Sequence, residues 1–207
     1  MSSSAPDPLI VLQSNSAFAR LPAAELARLA EAAKTDHYRQ ATLLVPRGTA
    51  APKIWYVASG SVDLTLTSAG GGVARLPVTQ GYWATWAGCF GSQPLQFDFW
   101  SSRAATLIAF PRDKVLQAFD RQPDALLQVI EFLAENVTVF NAWILSTTIL
   151  SAEQRLAYLL LVLSARAKAA GSEALEVTQE QLGMLGIGTR QRVSRLLGGL
   201  AKRGLIR

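Results

Sequence analysis

The 207-residue chain carries 20 Lys and Arg against 15 Asp and Glu, a formal net charge of +5, and half of its residues are apolar, which excludes disorder as the default state. The charge is segregated: from Thr178 onward stand six cations (Arg190, Arg192, Arg195, Lys202, Arg203, Arg207) and one acid (Glu180), so residues 1–177 sum to zero and the last thirty hold the whole excess. A single cysteine (Cys89) and a single histidine (His37) exclude an intrachain disulfide and any zinc or iron–sulfur site that needs about four such ligands from one chain, while a localised cationic segment points to a polyanion bound at one place.

Residues 1–15 are small and polar, and the sequence predicts a loose arm there, without the basic and apolar regions of a secretory signal. After Leu21-Pro22, the spacing of Leu26, Leu29 and Ala33 predicts a short helix on a core. From His37 to Phe110, short runs such as Ile54–Val57, Val62–Leu66 and Val73–Val78 are separated by Gly48, Gly60, Gly70–Gly72 and Gly81, the pattern of an antiparallel barrel or sandwich. The glycine tract is followed by no Lys-Ser/Thr and fits no phosphate loop. Pro111-Arg-Asp113 turns the last strand into a short helix over 114–119.

A second helix begins near Pro123, a residue suited to the first helical turn. Leu126, Ile130, Leu133, Val137, Phe140 and Ile144 follow at spacings of 4, 3, 4, 3 and 4, a heptad seam. Either these six face the chain's own barrel or they face a partner helix. Val129, Phe132, Val139 and Trp143 form a second apolar edge beside them, which favours a parallel homodimer, since one helix can then pack both ways. The helix is expected to end near Leu150–Ala152, with Ser151 capping a new amphipathic helix through Leu156, Leu159, Leu160 and Leu163. The apolar run Ala157–Ala165 is flanked by Arg155 and Arg166 and falls short of the roughly 20 residues of a membrane span. A soluble, cytoplasmic chain without membrane contact is the expectation.

In the last thirty residues, Thr178 and Gln181 have capping-box spacing at the start of a short helix that stops at Gly186-Ile-Gly188. Thr189 then caps a helix whose apolar stripe is Val193, Leu196, Leu197 and Leu200; Gln191, Arg195 and Gly198 point away from the stripe, with Arg190 and Arg192 beside them. Two short helices around a glycine turn, the second presenting arginines, describe a helix-turn-helix. Arginine suits base reading because its planar fork bonds guanine O6 and N7 together, and threonines at helix starts suit phosphates. A solvated basic face on an ordinary helix pair is the competing explanation.

The run from Val177 through Thr-Gln-Glu-Gln-Leu-Gly-Met-Leu-Gly-Ile-Gly-Thr-Arg-Gln-Arg-Val-Ser to Arg195-Leu-Leu resembles the helix-turn-helix of the Crp/Fnr family of bacterial transcription regulators. Leu21-Pro, Gly48, Tyr56-Val57 with Gly60, Gly81 and Pro111-Arg-Asp resemble that family's cyclic-nucleotide-binding-type barrel, so the likeness covers roughly residues 16–207. It implies an α+β architecture. An N-terminal antiparallel jelly-roll barrel with a dimerisation helix (16–150, the helix at about 123–149) precedes an all-α DNA-binding domain (151–207). It also implies a homodimer on double-stranded DNA, with RNA polymerase as a further partner. Base-reading residues carried over by position are Arg190, Gln191 and Arg195; phosphate contacts fall near Thr178, Gln179, Thr189 and Arg192, and Ser194 shares that face. The sequence ends at Gly204–Arg207, where the family continues into a two-stranded wing, so the expected domain lacks its wing.

There are departures from the family pattern. The turn glycine of the family falls at Ile187, between Gly186 and Gly188, and Arg192 replaces a threonine. Members that bind cyclic AMP carry Gly-Glu and then Arg-Ser or Arg-Thr; the corresponding places hold Thr85-Trp86 and Leu95-Gln96. No Lys or Arg stands between Arg75 and Arg103, and a buried phosphate without a cation keeps a desolvation penalty of several kcal/mol, so regulation by cyclic AMP is not expected. Seven of the chain's 17 aromatics lie within residues 81–100, Trp83 and Trp86 among them. They describe a pocket for an apolar or planar effector, haem being one form of it, or else a barrel core packed shut or a protein-contact surface. His37, the only imidazole, leaves catalytic Ser/His/Asp or Cys/His sets unsupported, and no cofactor and no enzyme is expected. The rival to a regulator is a barrel-type ligand or protein-interaction module whose terminal helices serve assembly.

Overall fold

The computed structural model describes residues 5–169, 175, 177–183 and 187–206, and the chain divides into two compact units, Met1–Val137 and Thr138–Arg207. In the first, helix α1 (Pro8–Gln13), a 3-10 turn (Ser16–Phe18) and helix α2 (Ala23–Ala32) precede the strands. These are β1 (Lys34–Tyr38), β2 (Thr42–Val45), β3 (Lys53–Ser59), β4 (Ser61–Thr67), β5 (Val73–Thr79) and β6 (Trp83–Ala84). Helix α3 (Trp86–Phe90) then leads to β7 (Asp98–Ser101) and β8 (Ala105–Pro111), followed by α4 (Arg112–Phe119) and α5 (Pro123–Ile149). Two antiparallel sheets, ordered β1-β8-β3-β6 and β2-β7-β4-β5, form the expected jelly-roll type of sandwich.

Strand alternation divides the core in two. On β3, Ile54 and Tyr56 face the helices while Trp55 and Val57 face the barrel interior; on β8, Ile108 and Phe110 face the helices while Leu107 and Ala109 face inward. The helix-side cluster collects Leu12, Phe18, Leu29, Trp86, Val115, Phe119 and Val129; the interior cluster collects Val45, Val62, Leu95 and Phe99. Gly60 makes the β3–β4 turn at φ +77°, where a Cβ would lie 2.9 Å from Ala105 Cα.

The loose arm predicted over residues 1–15 is corrected in its second half. Pro8–Gln13 is helical, Asp7 accepts from Leu9 N at 2.8 Å as its N-cap, and Val11 and Leu12 are buried. Six residues are too few to display helical periodicity, so burial of one face against the cluster decides the conformation.

Helix α5 packs on the helix-side cluster along one edge. Ala125 and Val129 are buried and Phe132 is half-buried against the helix-side cluster, whereas Ile130, Val137, Phe140 and Ile144 are between 55% and 61% exposed and Leu126 is 39% exposed. Leu133 alone of the seam packs partly on the same cluster. The side chains of Val139 and Trp143 lie outside the described residues. The seam as a whole is therefore not the barrel-facing edge. The most extended apolar stretch is also here and not at Ala157–Ala165. Pro123–Ser146 is long and apolar enough, by length and composition, to cross a membrane (mean hydropathy 1.2), yet one edge of it is core and Glu131 pairs with Arg20 at 3.9 Å.

The second unit holds the end of α5 with α6 (Ala152–Ala169), α7 (Gln179–Leu182) and α8 (Arg190–Lys202). Ser151 caps α6 reciprocally: its Oγ accepts from Gln154 N at 3.2 Å and its N donates to Gln154 Oε1 at 2.9 Å.

Candidate nucleic-acid interface

Thr189, extended at φ −64° and ψ 156°, starts α8, and its Oγ1 accepts from Arg192 N at 3.3 Å. Val193 and Leu200 are buried with Leu156, Leu159, Leu182 and Ile187, while Leu196 and Leu197 pack at the margin. An ion pair between Glu153 and Arg203 ties the start of α6 to the end of α8. That packing fixes which face of α8 is left outward, and Arg190, Gln191, Arg192, Ser194 and Arg195 are all exposed on it. Thr178 is exposed and its carbonyl accepts from Leu182 N at 3.0 Å; Gln179 is half-buried at the start of α7. The side chain of Gln181, the other half of the expected capping box, lies outside the described residues, as does Gly186.

The turn departs from the family pattern in a definite way. Ile187 is a core residue, 1% exposed, and Gly188 takes the positive φ, +130°. A Cβ on Gly183 would sit 2.5 Å from Gly188 O, so the end of the first helix and the turn approach as closely as two glycines permit. A Cβ on Gly188 would lie 2.9 Å from Arg192 Cδ, so the Arg192 stem covers the turn. Sequence reasoning misses this; a glycine four residues before an arginine is its only signal.

Residues 154–207 match the family model described as the Crp-like helix-turn-helix domain. The segment that carries α7 and α8 is thus similar to a helix-turn-helix domain of the Crp type. No curated protein matches the chain. Among solved structures, the chain is similar to the catabolite activator protein of Thermus thermophilus (22% identity over 93% of this chain and 90% of that one, TM-score 0.53). It is similar also to the c-di-GMP-responsive global regulator CLP of Xanthomonas campestris (19%, 90% and 95%, TM-score 0.62) and to FixK2 of Bradyrhizobium japonicum (20%, 83% and 86%, TM-score 0.66). At these identities the likeness establishes the fold.

The five residues of the degenerate effector pocket, Trp83, Thr85, Trp86, Leu95 and Gln96, are divided between the two clusters and the surface. Trp83 and Trp86 stack in the helix-side cluster, with centroids 5.9 Å apart and Phe18 at 5.3 and 5.2 Å from them. Leu95, 9% exposed, belongs to the barrel interior, where its Cδ2 occupies the position a Cβ on Gly88 would need. Gln96 is exposed and donates to Pro94 O at 3.0 Å. Thr85, 6% exposed at φ +65°, bonds through its hydroxyl to Lys53 O at 2.7 Å and Ala84 O at 2.6 Å, a left-handed position unusual for a β-branched residue. The aromatic segment is thus packed core at Trp83, Trp86 and Phe90, and outward at Tyr82, Phe97 and Trp100. The indole N–H groups of Trp55 and Trp86 are buried without an acceptor.

Arg112 holds α3 in place, donating from Nε to Cys89 O at 2.8 Å and from Nη2 to Gly91 O at 3.3 Å. Burial pushes the Cys89 thiol up to about 11, against the opposing charge of Arg112. His37 is exposed on β1, with Nδ1 3.1 Å from Thr106 Oγ1. Among the described residues no group of His, Cys, Asp and Glu could hold a metal ion.

Proposed function

We propose that the protein is a cytoplasmic regulator acting as a homodimer joined along α5, that its α8 helices enter the major groove of double-stranded DNA, and that cyclic AMP does not control it. The observation carrying the DNA reading is α8 itself. Val193 and Leu200 are locked into the core, and the opposite side presents Arg190, Gln191, Arg192, Ser194 and Arg195 to solvent. The exposed seam of Leu126, Ile130, Val137, Phe140 and Ile144 supports the dimer, because burying each such side chain against a second copy is worth about 1.5–3 kcal/mol. A second copy, and not a bilayer, covers this stripe, since Glu131 and Glu135 stand on the same helix. The absence of cyclic AMP control rests on Leu95 and Trp86, apolar and packed where the family pattern needs an arginine and a glutamate.

Such a regulator performs no catalysis and needs no cofactor, haem included; contact with RNA polymerase follows if it activates. The test is a mobility shift on selected genomic fragments at two salt concentrations. Arginine-driven binding weakens steeply as salt rises; salt-independent or absent binding supports the interaction-module reading. Ile130→Asp with Ile144→Asp is expected to convert a sedimenting dimer to a monomer. Micromolar cyclic AMP or cyclic GMP binding by calorimetry would refute the nucleotide claim.

A further inference from the structure

From the groove beside the β4–β5 hairpin we infer a binding site for an amphiphile: an acyl chain lies along Leu66, Val73 and Ala74, and its carboxylate meets the Arg47 guanidinium. The site belongs to the first unit, goes beyond the DNA-binding reading and does not depend on it.

On β4, strand alternation turns Val62, Leu64 and Leu66 to the same face, the one that enters the barrel interior. Val62 is fully buried, Leu64 is half-buried against the interior cluster and Leu66 is 40% exposed, so the apolar face of the strand runs out past the closed part of the barrel. Across the hairpin Leu66 pairs with Ala74 and Thr67 with Val73, which is exposed. These four residues, with Ser68, Gly72 and Arg47, line a groove of about 550 Å³ that opens to solvent, a volume within the roughly 300–1,000 Å³ of small-molecule sites. The hairpin end is closed by its own bonds: Ser68 N donates to Gly72 O at 2.8 Å, Gly71 N to Ser68 O at 3.0 Å and Gly72 N to Ser68 Oγ at 3.0 Å. The loop that carries Arg47 is anchored separately, Arg47 N donating to Asp98 Oδ1 at 2.7 Å and Gly48 N to Leu95 O at 2.8 Å. Both walls are therefore set before a ligand arrives.

The lining decides the class of ligand. Leu66, Val73 and Ala74 are apolar, Arg47 is cationic and no lining residue is acidic, so the groove offers an apolar wall and one unopposed positive charge. Asp98 engages the backbone of Arg47 and does not line the groove. Among the described residues the Arg47 guanidinium makes no ion pair. Its planar fork fits a carboxylate with two parallel bonds. A wholly apolar molecule would leave that fork unused, and a small polar anion would leave Leu66 and Val73 in water. A chain of methylenes ending in a carboxylate satisfies both.

Calorimetric titration of the full-length chain with hexanoate, octanoate and decanoate, each below its micelle-forming concentration, and with decan-1-ol tests the site. One saturable site is expected, with affinity rising about 2- to 4-fold per added methylene. Decanoate is expected to bind about 2- to 10-fold more tightly than decan-1-ol, the value of an exposed charge-assisted contact. Arg47→Gln is expected to bring decanoate down to the level of the alcohol and to leave the alcohol where it was. Leu66→Ser is expected to weaken both by the same factor. Arg39→Gln, at an exposed arginine that does not line the groove, is expected to change neither. Unchanged thermal melting of each variant checks that folding is intact. Absence of saturable decanoate binding by the wild-type chain, or binding that Leu66→Ser leaves untouched, would overturn the site. Equal affinity of acid and alcohol for the wild-type chain, or a preference for the acid that survives Arg47→Gln, would overturn the pairing with Arg47.

Discussion

Replacing Phe18 by alanine tests whether the N-terminal segment is part of the core. Its ring is 0% exposed and stands 5.2, 5.3 and 5.8 Å, centroid to centroid, from Trp86, Trp83 and Phe119. Truncating a buried Phe to Ala costs about 3–5 kcal/mol. Three ring neighbours, each contributing about 0.5–1.5 kcal/mol beyond area burial, place this site in the upper half of that range. At about 2–4 °C per kcal/mol for a chain of this size, the melting temperature falls by roughly 8–20 °C. The assay is equilibrium urea unfolding followed by tryptophan emission, because Trp83 and Trp86 report from the ring contacts themselves. Phe18→Leu, which keeps most of the volume, is expected to cost under about 1.5 kcal/mol. A loss below about 1 kcal/mol for Phe18→Ala, with emission unchanged, would refute the packing of Ser16–Phe18 on α3 and α4.

Three further outcomes are expected. Thr189→Ala removes the acceptor for Arg192 N and is expected to destabilise the second unit by about 1 kcal/mol, measured by thermal melting. Gly60→Ala combines φ +77° with a Cβ 2.9 Å from Ala105 Cα, so its cost in urea unfolding should exceed about 1 kcal/mol. Because the Cys89 thiol is raised from its ordinary 9.0 to about 11 in the folded chain, the thiol form is favoured by folding. Stability should therefore fall as pH rises from 9 through 11, and at pH 8 iodoacetamide should label Cys89 no faster than the chain opens.

The last helix is the most legible part of the sequence. Thr189 as its cap, Val193 and Leu200 as its buried stripe and an exposed Arg195 all follow from a period that runs undisturbed for three turns. The reciprocal cap at Ser151 and Gln154 is only half visible, from the serine alone. Helix α1 escapes a reading of the sequence, although Asp7-Pro8 carries a cap followed by a first-turn proline, because that signal introduces no periodic run. Helix α3 is not legible at all. Trp-Ala-Gly-Cys-Phe contains few helix formers, and the turn is held from outside by Arg112, 23 residues from Cys89 in sequence. The aromatic stretch resists a reading from sequence for a different reason. Residues close in sequence, such as Ala84 and Trp86, belong to opposite clusters, so a dense aromatic stretch names no single site.

The interlock of Leu95 with the backbone at Gly88 bears on how this barrel can evolve. A Cβ at position 88 would lie 2.5 Å from Leu95 Cδ2 and 3.1 Å from Ala51 Cβ, so a larger residue there requires the Leu95 side chain to move. An arginine at 95 would enter a cluster of Val45, Ala51, Trp55 and Phe99, and its charge, if left unpaired there, would cost several kcal/mol. Thr85, strained at φ +65° but held to Lys53 O, is tied to the same segment. Single substitutions toward an interior that accepts a charged ligand therefore each lower stability before the others can compensate, and the same packing that closes the barrel also resists its conversion.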